Sequence, residues 1–280
     1  MSSSSNFSSS SSFSNSSPAS YLATTNQTSK LPKALLLNAS PSFQEFDRPL
    51  MRYLSWQVSI ARWEYYQTPD EPSDLEIAVN LLHEYLESSD DLDRGYAVHL
   101  IGHGVSGLVG LLYARRYPDR VKSLTLLSVG CHPGLDWQSF YYAHLKLLPC
   151  SRQTILRQMA DHLFGYHPKV MTPTFMEILE QDLFSSPSPH SLWHLASVPE
   201  GVVGVPTLFC GGSDDAIISS HELQGWQQKL GEGDQIWQCP GGKHFFQYFY
   251  PQKVARQILG FWLSLNSTNT HNVNHSNFAS

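Results

Sequence analysis

Hydrophobic and polar positions along the middle of this chain follow two periods in turn. Short apolar runs stand at Ala34 to Leu37, Val58 to Trp63, Tyr96 to Ile101, Val121 to Val129, Val205 to Cys210 and Gln235 to Cys239. Runs of this length, set off by turn residues, are the pattern of buried strands. Between them the apolar spacing becomes helical. Leu75, Ala78, Leu82 and Tyr85 line one face of a helix that ends near Leu86, and Val105 to Tyr117 forms a second, stopped by Pro118. A last helix starts at Pro251 and puts Val254, Ile258, Phe261, Trp262 and Leu265 on one face. Ser73-Asp74-Leu75-Glu76 has the form of a capping box, in which the Ser73 hydroxyl takes the Glu76 amide.

Strands alternating with amphipathic helices predict an α/β fold: a mostly parallel sheet of about six strands with helices on both faces. Such sheets bind ligands beyond the carboxyl ends of their strands. The residues that follow each strand, Asn38, Gly104, Cys131, Asp215 and His244, are therefore where chemistry is expected. From 131 to 200 the alternation breaks. No clear strand occurs there, and Trp137, Phe140, Tyr141, Tyr142, Phe164, Tyr166, Phe175 and Trp193 accompany helical patterns. An insertion of that size at the carboxyl edge predicts a helical cap over the pocket, with most of these aromatics fastening it down. The core is then 31–130 and 201–265.

The ends are different. The first twenty residues contain thirteen serines, and the segment 1–30 has too little apolar surface to fold. The stretch 266–280, rich in Asn, Ser, Thr and His, reads the same way. No apolar run is long enough to span a bilayer, and the N-terminus lacks the basic and apolar regions of a secretory signal, so a cytoplasmic chain that does not enter membranes is expected. A formal net charge of -6 argues against nucleic acid as a main partner. The four cysteines, Cys131, Cys150, Cys210 and Cys239, show no CxxC spacing and no zinc pattern, and no nucleotide motif occurs. Neither a cofactor nor a metal is implied. The partner expected is a small molecule; no protein partner can be named.

Three segments carry a resemblance. Leu100-Ile101-Gly102-His103-Gly104-Val105-Ser106-Gly107 joins a strand to a helix, and is followed by Tyr113-Ala114-Arg115-Arg116-Tyr117-Pro118-Asp119-Arg120-Val121. Val205-Pro206-Thr207-Leu208-Phe209-Cys210-Gly211-Gly212-Ser213-Asp214-Asp215 comes next, then Pro240-Gly241-Gly242-Lys243-His244-Phe245. In this order they resemble the nucleophile elbow, acid loop and histidine loop of the α/β-hydrolase fold superfamily. The resemblance covers nearly all of the chain between its polar ends. It implies a triad whose acid is Asp215, with Asp214 the second choice, and whose base is His244. The nucleophile position falls on Gly104.

Glycine accepts positive φ freely, so Gly104 suits the elbow's backbone while offering no hydroxyl. The loop after the first strand, Asn38-Ala39-Ser40-Pro41, replaces the family's usual His-Gly. The amides of Ser40 and Val105 are the oxyanion-hole candidates. Ser106, two positions past the elbow, fits better as a small or helix-capping residue than as a substitute nucleophile. Asn38, His103, Ser106, Cys131 and His132 are candidates to line the pocket. Two kinds of function suit this set. One is a pseudo-hydrolase that binds a small apolar ligand, as the resemblance to receptors of this fold and to the N-myc downstream-regulated family implies. The other is an enzyme without serine, a small-ester or lactone hydrolase or a cofactor-free oxygenase, using His244 and Asp215 as a general base.

Overall fold

A computed structural model describes residues 33–68, 70, 73–88 and 96–276, with side chains described as far as 267. The serine-rich segment lies outside the described residues. Six strands form one sheet: β1 (Ala34–Asn38), β2 (Ile60–Glu64), β3 (Val98–His103), β4 (Val121–Leu127), β5 (Thr207–Gly212) and β6 (Gln235–Cys239). Their order is β2-β1-β3-β4-β5-β6, and every neighbouring pair is parallel. The chain leaves β1 for one edge and returns to its other side as β3. That reversal opens a crevice between the carboxyl ends of β1 and β3, the switch point where ligands of open α/β sheets bind.

The side-chain period of two divides the core into layers. Leu35, Leu37, Leu100, Leu124, Leu126 and Phe209 face one side, where α2 (Leu75–Glu87) and α3 (Gly104–Arg116) cover them. Leu36, Ile101, Leu127, Leu208 and Cys210 face the other, against α1 (Gln44–Ser55) and the last helix (Pro251–Ser276). The inner strands β1, β3 and β5 are buried throughout, whereas the edge strand β2 alternates.

Between β4 and β5 stand α4 (Trp137–Leu147), α5 (Arg152–Phe164) and α6 (Thr172–Ser185), then an extended coil up to β5. Their core is a separate cluster in which Ile155, Leu156, Met159, Leu163 and Leu179 meet Phe43, Phe46 and Phe245. Rings stack through it: Phe46 on Phe245 at 4.6 Å, Phe164 on Phe245 at 5.1 Å and Phe175 on Phe164 at 4.2 Å. Such pairs add about 0.5–1.5 kcal/mol each beyond area burial. Tyr166 and Trp193 take no part and are exposed. The coil is tied down by Arg115 of α3, whose guanidinium donates to the carbonyls of Pro199, Gly201 and Val202.

Several local expectations change. The Ser73 capping box does not form. Asp74 is the N-cap of α2 and its carboxylate accepts the Glu76 amide at 2.9 Å, while the Ser73 hydroxyl donates to the Ser188 carbonyl. A carboxylate one residue nearer the helix outcompetes the hydroxyl. The second strand begins at Ile60 rather than Val58, because Gln57 and Val58 give their amides to Leu54 in closing α1. The apolar run after Pro118 stops being strand at Leu127, since Ser128 turns to φ +51°. α1 itself carries Pro49 inside it, a residue that masks a helix in any reading by pattern. The last helix runs on to Ser276, past Asn266 where a polar tail is expected.

Candidate active site

At the end of β3 the chain enters α3 without a loop. Gly104 is the first helical residue and has φ +51°. The close passage of strand over helix is made by two other glycines. A Cβ on Gly102 would stand 2.6 Å from the Gly107 nitrogen, and one on Gly107 would stand 2.8 Å from the Gly102 oxygen. At Gly104 the reverse holds, for a Cβ there would have no atom within 4 Å. The turn thus aims this position into open space.

That space is a small cavity of about 20 Å³, lined by Gly104, Val105, His103, His244 and Ser40 together with Phe43, Asp136, Trp137, Gln138 and Asp182. It is roughly the room one water needs. Residues from the carboxyl ends of β1, β3 and β6 and from α4 and α6 converge here.

His244 and Asp215 are paired. The His244 Nδ1 donates to the Asp215 carboxylate at 3.0 and 3.2 Å, and both residues are buried. The Asp215 Oδ1 also accepts the amides of Ile217 and Ile218 at 2.8 and 3.0 Å. Burial alone would raise the Asp215 carboxyl; His244 and the two amides outweigh it and hold it below its ordinary value. With Nδ1 carrying the proton toward Asp215, Nε2 is the ring's acceptor. Asp214, the second choice for the acid, is exposed and takes the Ser213 hydroxyl instead.

Ser128 lies inside the apolar run Val121 to Val129, where nothing in the sequence marks it as a site residue. Its hydroxyl lies 3.1 Å from the Asp215 Oδ2 and 2.9 Å from the His244 carbonyl, so one side chain braces both partners. Its φ of +51° is the signal of special duty, and a sequence does not print φ. Asp136, Gln138 and Asp182 were equally hidden inside the helical insertion. Asp182 accepts from Ser42, Trp137 and Gln138 at 2.8–3.1 Å. Burial still pushes its carboxyl up to about 6.

The remaining candidates separate. Ser40 and Val105 line the cavity beside Gly104. His103 lines it too; its Nε2 donates to the His244 carbonyl at 3.0 Å and its ring stacks on Phe245. Burial, then the neighbouring His244, lowers its imidazole to about 3, so it is neutral. Ser106 is not in the cavity lining: its Oγ accepts the Ala39 amide at 2.8 Å. Asn38 is buried at the end of β1 and lines no part of that cavity. Cys131 and His132 stand apart, and His132 lines a different, larger cavity of about 330 Å³ between α4 and the coil at 195–200. Leu135, Phe140, Leu195 and Val198 make its walls mostly apolar. Asp136, which lines the small cavity, and His190, which lines the larger one, lie 3.7 Å apart. No helix among the described residues is long and apolar enough to cross a membrane.

No protein-family model matches the chain. An uncharacterized protein of Synechocystis sp. is 45% identical over 229 residues, 82% of this chain and 89% of that one. Another, of Nostoc sp., is 42% identical over 228 residues, 81% and 89% of the two chains. Among solved structures, a bacterial membrane phospholipase A superposes with a TM-score of 0.66 at 17% identity, over 88% of this chain and 82% of that one. A meta-cleavage product hydrolase from Pseudomonas fluorescens does so with a TM-score of 0.65 at 14% identity, over 88% and 94%. At those identities the structures speak for the fold alone. With its six parallel strands and its strand–turn–helix entry at Gly104, the chain has the α/β-hydrolase fold, and it belongs to one family with the Synechocystis and Nostoc proteins.

Proposed function

We propose that this protein is a pseudo-hydrolase that binds a small, mostly apolar molecule and forms no serine acyl-enzyme. The observation that carries the reading is Gly104. It occupies the turn with φ +51°, beside the paired His244 and Asp215, and an added side chain would enter open space. A hydroxyl in that place would have a base within the same cavity; glycine supplies none. The roughly 20 Å³ beside His244 has no room for an ester with its two substituents. The apolar cavity of about 330 Å³ beside α4 is of the size that small ligands occupy. The fold's hydrolase relatives support the ancestry of the site, not its activity.

A second reading has its own support. The acid–base pair is complete, buried and braced by Ser128, and the adjoining cavity accommodates one water. His244 acting as general base on that water, or on a bound acidic substrate, would make a serine-free enzyme. A thermal-shift screen with small esters, lactones and heteroaromatics, followed by turnover assays on each hit, tests both. Ligands that stabilise the protein and are recovered unchanged support the first reading. Turnover that disappears in His244→Gln replaces it with the second.

A further inference from the structure

Outside the hydrolase-like site, one cluster brings together three groups of metal-binding chemistry. Cys131 and His132 follow β4, and Glu222 lies 90 residues later in α7 (Ser220–Gln224). The Cys131 Sγ is 3.4 Å from the His132 Nδ1 and 3.6 Å from the Glu222 Oε2, and the His132 Nδ1 is 3.0 Å from that same oxygen. Zn–S bonds of about 2.3 Å and Zn–N and Zn–O bonds of about 2.0–2.1 Å, at tetrahedral angles, place ligand atoms about 3.3–3.6 Å apart. We propose that Cys131, His132 and Glu222 form a three-ligand site for a zinc-type divalent ion, with its fourth position open.

Independent features of the surroundings agree. Two glycines clear the space. A Cβ on Gly225 would stand 2.2 Å from the Cys131 Sγ, and one on Gly130 would stand 2.9 Å from the Glu222 Oε2. Gly225 has φ -55°, an ordinary helical value, so its backbone does not require glycine; the thiol's position does. Main-chain bonds hold the parts in register, with the Cys131 amide donating to the Glu222 carbonyl at 3.0 Å. On the far side of the imidazole, the Glu200 Oε1 lies 3.4 Å from the His132 Nε2. A metal on Nδ1 leaves the ring proton on Nε2, where metal-bound histidines commonly meet a carboxylate. Lys229 binds both Glu200 and the Cys131 carbonyl. The Cys131 thiol donates to Glu222, and burial and that carboxylate push it up; a metal displacing its proton would leave a thiolate and two carboxylates facing one ammonium, a sum that a divalent cation brings to neutrality. His132 and Glu200 also line the larger apolar cavity, so the site stands in its wall. Sequence spacing cannot reveal it, because its third ligand is far along the chain.

The test titrates the full-length chain, stripped with EDTA, with Co²⁺. The expected result is one equivalent bound with a thiolate-to-cobalt absorption band in the near ultraviolet, bleached by Zn²⁺. Cobalt taken up by the histidines of the C-terminal segment would lack that band, so it would not mimic the result. Cys131→Ser should abolish the band, and Glu222→Gln should weaken binding at least tenfold. His132 is half exposed, so His132→Ala tests the site should Cys131→Ser fail to fold; it too should lose at least tenfold in affinity. Absence of the band in the wild-type protein, an unchanged band in Cys131→Ser, or wild-type affinity in His132→Ala would each overturn the proposal.

Discussion

The Ser106 hydroxyl accepts the backbone amide of Ala39 at 2.8 Å, and so ties the first turn of α3 to the loop that leaves β1. Both residues are buried. The same bond explains why a serine two places past Gly104 is no substitute nucleophile: its oxygen serves the main chain, and Ser106 is not among the residues lining His244's cavity. Ser106→Ala leaves a buried amide with no acceptor, which costs about 1–3 kcal/mol. Urea unfolding of the variant should show a loss in that range. Ser106→Thr or →Cys, which keep an acceptor, should lose less. Stoichiometric labelling of wild-type Ser106 by a fluorophosphonate would contradict this assignment.

Gly104→Ala and Gly104→Ser should destabilise by similar amounts, on the order of 1–2 kcal/mol, since the cost is the positive φ and not a clash. Gly102→Ala should cost more than either, because its Cβ meets the α3 backbone at 2.6 Å. The ordering of the three in one denaturation series checks the placement of the turn. A Gly104 variant as stable as wild type would show that this backbone is not held at positive φ.

His244→Gln removes the partner of a buried carboxylate. Breaking such a pair costs about 3–5 kcal/mol. The Ile217 and Ile218 amides and Ser128 continue to serve Asp215, so a loss near the lower figure is expected. If the larger cavity holds the ligand, affinity should stay within about twofold in this variant, measured calorimetrically below the unfolding temperature. A tenfold fall would move the ligand to the dyad.

His99 provides a pH prediction. Its Nδ1 lies 2.7 Å from the Ser123 Oγ, its ring stacks on Trp262, and burial, assisted by Lys122, lowers it to about 4 from 6.5. Above pH 6.5 the ring is neutral folded or unfolded, and its full contribution is present. As pH falls below 6.5 the unfolded chain takes a proton the folded chain refuses, so stability declines until about pH 4. The slope for one proton is at most about 1.4 kcal/mol per pH unit. His99→Asn should flatten the stability profile between pH 6 and pH 4.5 by about 1 kcal/mol per unit. His103 acts in the same direction but is present in both proteins, so the difference isolates His99. Parallel profiles would show that His99 is not shielded from protonation.

Much of this protein was legible one residue at a time. Six apolar runs correspond to six parallel strands, the inner ones continuously apolar because they are buried on both faces. Of the five residues that follow the strands, Gly104, Asp215 and His244 come together, while Asn38 and Cys131 do not line that cavity. Those signals are local, carried by neighbours in sequence. What only the tertiary structure decided is how distant segments meet. That the Ser73 hydroxyl finds the Ser188 carbonyl, 115 residues along the chain, is one such meeting. The narrowness of the space beside His244 depends on Trp137, Gln138 and Asp182 descending from the helical insertion. The meeting of Cys131, His132 and Glu222 depends on the loop after β4 reaching α7, where the Cys131 amide bonds the Glu222 carbonyl and Gly130 and Gly225 leave room. A one-dimensional pattern records which residues can be buried, because burial follows composition and period. It does not record which polar atoms find one another across 90 or more residues, because that is set by packing.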